Sequence, residues 1–191
     1  MSSHLQSDTD TGMNRKKNQK PIWIHDIVII GLLSSILLVV QVTLSFIPNV
    51  ELVSILIILY TLTYGRKTIF IVYVFVVLEG AIYGIGLWWL NYLYVWTILY
   101  AIVLFFHTLR NQILWAVISG IYGLFFGALC SIPYFITGGI ATGTAYWIAG
   151  IPFDITHGIS NFLAALVLFK PLHYMLDKLV DRYRLRTPAG S

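Results

Sequence analysis

The chain has 191 residues, of which 58% are hydrophobic and only 10% charged, with a formal net charge of +4. Soluble domains carry roughly a quarter charged residues, so this composition excludes an ordinary soluble protein and points to an integral membrane protein. The lone cysteine, Cys130, sits in an apolar run, cannot form an internal disulfide, and is read as a small packing residue.

The first 23 residues form a polar, basic tail with no apolar core of its own, so no cleavable signal peptide is expected ahead of the first span. Apolar runs then recur at about 26–46, 51–64, 68–85, 88–107, 112–136 and 144–170. A helical crossing needs around 20 apolar residues. The second run is short by that measure and should stand nearly upright or be covered by protein. The breaks "IPNVE", "YGRKT", "YGIGLWW", "HTLRNQ" and "PYFITGGIATGT" are rich in Pro, Gly or charge, as turns are. Residues 24–172 are therefore expected to form one six-helix domain, and 173–191 a basic C-terminal tail.

Charge supports that count. All Lys and Arg fall at Arg15, Lys16, Lys17, Lys20, Arg66, Lys67, Arg110, Lys170, Lys178, Arg182, Arg184 and Arg186. With six spans these positions share one side, and the positive-inside rule makes it cytoplasmic. The stretches 47–51, 84–88 and 133–143 on the other side carry no Lys or Arg. The expected fold is an all-α compact bundle of six transmembrane helices, multi-pass in the cell membrane, with both termini cytoplasmic. The positive net charge then reflects orientation, and no nucleic-acid partner is invoked.

Ionisable residues within spans usually face a bundle interior or a cavity, which singles out Glu79 and Asp154. "FVVLEGAIYG" sets Glu79 and Tyr83 one turn apart near the outer end of the third span, and "GLWWLNYLYVW" opens the fourth with Trp88, Trp89, Asn91 and Tyr92. Such aromatics are also the normal furniture of a membrane interface. In "GIPFDITHGISNF" Asp154, His157 and Asn161 are spaced to share one helical face. Pro152 lacks the N–H of a continuous helix. A helix restarting there would hold Asp154 in its first turn, where the positive helix end favours a carboxylate.

No phosphate loop, H-E-x-x-H or G-x-S-x-G occurs. His25, His107 and His173 fall on the cytoplasmic side, so no metal site and no catalytic residues are assigned. The chain is expected not to be an enzyme and to have no cofactor of its own. A self-sufficient proton-coupled carrier using Glu79, Asp154 and His157 and an intramembrane enzyme remain the other classes.

The junction "SFIPNVELVSILIILYTLTYGRK" and the stretch "VFVVLEGAIYGIGLWW", within six spans in under 200 residues, resemble the substrate-binding S component of energy-coupling factor (ECF) vitamin transporters, over about residues 24–178. The resemblance implies a bacterial plasma-membrane protein that captures a vitamin outside and pairs with a transmembrane T component and two ATPase subunits. It also implies a small-residue face on the first helix for docking, here Gly31 and Ser35 in place of the usual two alanines; small side chains permit close helix approach. Outer segments around Asn49, Gly84 to Trp89, and "TGGIATGTAYW", which ends on Tyr146 and Trp147, would close over the ligand. Glycine and threonine suit the last to a flexible lid.

The outer half offers acids and no Lys or Arg. A carboxylate-bearing vitamin would be buried there without a partner at a cost of several kcal/mol. A neutral, amide-rich ligand or a cation fits better, and its aromatic residues suit a large or planar face. Cobalamin is the first expectation, with thiamine, a pyridoxine-like vitamer or a queuosine precursor meeting the same charge condition.

Overall fold

The computed structural model describes residues 24–186. The tail 1–23, with its four basic residues, and the closing residues 187–191 lie outside that range. All regular structure among the described residues is helical: α1 (Ile24–Leu44), α2 (Val53–Tyr64), α3 (Thr68–Tyr83), α4 (Leu87–Phe105), α5 (Gln112–Leu124), the one-turn α6 (Phe126–Cys130) and α7 (Ile132–Arg186), with a 3-10 turn at Gly65–Lys67 between α2 and α3.

Four stretches are long and apolar enough to cross a membrane: Asp26–Leu44, Val53–Tyr83, Leu87–Phe105 and Ile132–Arg182. The second of these holds two helices, because Gly65 at φ 56°, ψ −126° reverses the chain between α2 and α3. Only glycine adopts that backbone conformation without strain. Gly84 at φ 83°, ψ 165° makes the α3–α4 reversal in the same way. Before α5, Asn111 caps the helix by accepting the Ile113 N–H at 2.8 Å.

The helices alternate in direction. Lys67 in the α2–α3 turn bonds Asp26 at the start of α1 at 2.6 Å, and the Ser34 hydroxyl donates to Ile71 O on α3. At the opposite end the Trp89 indole at the start of α4 donates to Val76 O near the end of α3 at 2.8 Å. α2 is buried along Val53–Thr61, as expected for a segment too short to face lipid. The core gathers around it, with Ile57, Ile58, Phe75, Leu99 and Trp115 fully enclosed. α1 instead presents Ile27, Val28, Leu32 and Val39 outward.

Two expectations need correction. The fifth run is not one helix over 112–136: it breaks at Phe125 and again at Ser131. The expected connector at 133–143 is helical on both sides of a single reversal at Gly139 (φ 75°, ψ −176°). From there one helix runs through Pro152 and Pro171 to Arg186. α5 and α7 pack so closely that a Cβ on Gly123 would lie 2.9 Å from Gly158 Cα, the close approach that small residues allow in apolar surroundings.

Candidate functional site

At the end of the bundle away from Asp26, Arg66 and Lys67 lies a cavity of about 610 Å³. Its walls are the end of α1, the 47–51 connector, the start of α4, α6, and the stretch of α7 from Tyr146 to His157. That volume falls within the roughly 300–1,000 Å³ of sites for cofactor-sized ligands. No Lys or Arg lines it.

Asp154 stands on the α7 wall, 7% exposed. Its Oδ1 accepts the Gly127 N–H at 2.8 Å, while Oδ2 is buried without a hydrogen-bond partner. Gly127 is needed here: a Cβ at that position would sit 2.5 Å from Oδ2. Asp154 is not in a first helical turn, since α7 continues unbroken through Pro152. The Gly127 amide on α6, not the end of its own helix, meets the carboxylate.

One turn further His157 Nε2 lies 3.4 Å from Glu51 Oε1, and its ring packs on Phe126 with centroids 4.8 Å apart. Glu51 also accepts the Ser54 N–H through Oε2 at 2.8 Å, so its carboxylate holds the first turn of α2. Asn161 lies below the cavity, donating to Ser54 Oγ at 3.2 Å. The Ser160 hydroxyl donates to Asn49 O at 2.7 Å. Asn49 itself takes a left-handed φ of 60°, a conformation asparagine tolerates better than most residues. Three neighbouring α7 residues thus tie down the segment from Asn49 to Ser54.

Of the candidate site residues, Asn49, Tyr92, Tyr146, Asp154 and His157 line the cavity, and Asp154, His157 and Asn161 share one buried face. The other expected site residues lie elsewhere. Glu79 is buried on α3 with Oε1 unpartnered, but it does not line the cavity and so does not face Asp154 across it. Tyr83 and Trp88 pack edge-to-face outside it. Trp89 is bound to the α3 backbone, Asn91 accepts the Tyr94 hydroxyl at 2.9 Å, and Trp147 faces outward. Gly31 and Ser35 are exposed on α1, where a Cβ on Gly31 would meet nothing within 4 Å.

Sequence reasoning missed Glu51, Gln41, Trp96 and Phe126, all on the cavity wall. The available signal was an acid three residues before Ser54 at the mouth of an apolar helix. Trp96 has Tyr92 and Phe126 as ring neighbours at 5.5 and 5.7 Å. Among the described residues no group of three or more acidic, His or Cys side chains is arranged to hold a metal ion. A second concavity of about 900 Å³ runs between α1, α2 and α7; its charged residues, Asp26 and Lys67, pair with each other.

No family model matches the chain, and neither a curated protein nor a solved structure matches it.

Proposed function

We propose that this chain is the substrate-binding component of an ECF-type vitamin uptake transporter, capturing a cofactor-sized ligand outside the cell for an ATP-driven complex. The observation that carries this reading is the cavity's position. It occupies the end of the bundle opposite the basic turns, and the positive-inside rule makes that end extracellular in a six-span, multi-pass plasma-membrane topology with cytoplasmic termini. Apolar helices with outward leucine, isoleucine and valine are compatible with lipid surroundings.

The exposed Gly31–Ser35 face of α1 supports docking to a T component, since nothing in the bundle covers it. With two ATPase subunits completing the complex, the chain needs no energy-coupling site of its own and performs no chemistry on the ligand. Cobalamin is the bulkiest of the expected ligands, and a cavity of about 610 Å³ is closer in size to the smaller vitamers. Co-expression with a T component and its ATPases tests the assignment. The complex should co-purify and drive ATP-dependent vitamin uptake in proteoliposomes, whereas uptake by this chain alone would identify a self-sufficient carrier and refute the assignment.

A further inference from the structure

Resting on the reading of this cavity as the ligand site of a binding component, we propose that its ligand is a small organic cation built on a planar aromatic ring. Charge is the first ground. Two carboxylates, Glu51 and Asp154, face the cavity with one imidazole, His157, and without any Lys or Arg. Whatever the protonation of His157, it balances at most one of them. Glu51 is already satisfied by the Ser54 N–H and His157. The unbalanced charge therefore falls on Asp154, whose Oδ2 is enclosed and has no hydrogen-bond partner. A buried carboxylate of this kind is costly unless an opposite charge or strong donors meet it.

The second ground is independent of charge. Tyr92, Trp96 and Phe126 form a cluster of mutually inclined rings on the wall. Tyr146, stacked on Tyr134 at 3.9 Å, and Phe153 supply aromatic surface from α7. Ring faces attract cations, tryptophan most strongly, and they stack on planar ligands. A carboxylate and aromatic rings lining one cavity offer a flat cation a counter-charge and ring surface together. An anionic vitamer would meet two like charges, and a neutral one would leave the Asp154 charge uncompensated.

Matched ligands provide the test, applied to the purified full chain by isothermal titration. Thiamine and 1-methylnicotinamide carry a fixed positive charge on an aromatic ring; nicotinamide is the uncharged counterpart of the second, and cobalamin is bulky and rich in amides. At least one fixed cation should bind, and 1-methylnicotinamide at least about tenfold more tightly than nicotinamide. Asp154→Asn should weaken cation binding roughly 10- to 150-fold, while Glu79→Gln, outside the cavity, should leave it unchanged. If Asp154→Asn does not fold, Tyr146→Leu, at a partly exposed position, must weaken cation binding instead.

Failure of both cations to bind, equal or tighter binding of nicotinamide or cobalamin, or indifference to these cavity substitutions would overturn the proposal. The two readings separate cleanly. ATP-dependent uptake of a neutral vitamer by the assembled complex refutes the cation and keeps the transporter. Cation binding by a chain that never couples to the ATPases keeps the cation and refutes the transporter.

Discussion

Gly127→Ala tests the construction of the cavity wall. The new Cβ would lie 2.5 Å from Asp154 Oδ2, well inside van der Waals contact, so the carboxylate must swing away and abandon the 2.8 Å bond from the Gly127 N–H. A hydrogen bond to a charged group contributes about 1.5–3 kcal/mol. Alanine regains about 1 kcal/mol over glycine in a helix. The net loss is then about 0.5–2 kcal/mol, or a fall in Tm of roughly 1–8 °C for a chain of this size, read by thermal unfolding of the purified protein. Gly150→Ala is the control: it also borders the cavity, but its Cβ meets nothing within 4 Å, and it should be neutral or slightly stabilising. Combining Gly127→Ala with Asp154→Ala removes the clash, so the two effects should be strongly non-additive. A Gly127→Ala protein as stable as the parent, or simple additivity in the double variant, would refute the wall geometry.

Three further outcomes are expected. On the proposed topology, in which the basic turns face the cytoplasm, a cysteine introduced at Gly139 should react with an impermeant thiol reagent from outside intact cells and one at Lys67 should not; reversed labelling would put the cavity on the cytoplasmic face. Gly31→Leu should cut uptake by the assembled complex more than about tenfold, equivalent to 1.4 kcal/mol, yet leave ligand affinity of the isolated chain unchanged, as measured by transport and titration side by side. Glu79→Gln should raise thermal stability by about 1 kcal/mol, since it keeps the shape of a buried carboxyl but removes its ability to carry charge there; a loss of both stability and affinity would return Glu79 to the site.

Helices were legible wherever apolar runs were long, and the buried face at Asp154, His157 and Asn161 was legible because helical spacing alone generates it. The helical turn at residues 133–143 was not. Glycine and threonine read as a loop, but in the bilayer proposed for this chain the backbone must satisfy its own polar groups. Threonine then serves the helix: the hydroxyls of Thr137, Thr142 and Thr156 each donate to the carbonyl four residues back. That same bond, from Thr156 to Pro152 O, lies within the turn after the proline expected to restart the helix. Glycines 120, 123 and 127 seat α5 and α6 against α7; their spacing of three and then four residues puts them on one helical face, a signal that a reading of apolar runs alone passes over. Glu51 escaped notice because the search weighed charges inside spans, whereas this acid stands at a helix boundary and reaches His157 across 106 residues of sequence.

The three ties between α7 and the Asn49–Ser54 segment, through Ser160, His157 and Asn161, carry a kinetic consequence. At about 1 kcal/mol net apiece, the three ties together oppose release of the connector by about 3 kcal/mol, a weight of roughly one in a hundred. A solute entering by that route is slowed about a hundredfold relative to a permanently open site, and a bound one is retained longer by the same gate. Ser160→Ala, removing one tie, should hasten both arrival and escape about fivefold while leaving the equilibrium between them nearly untouched.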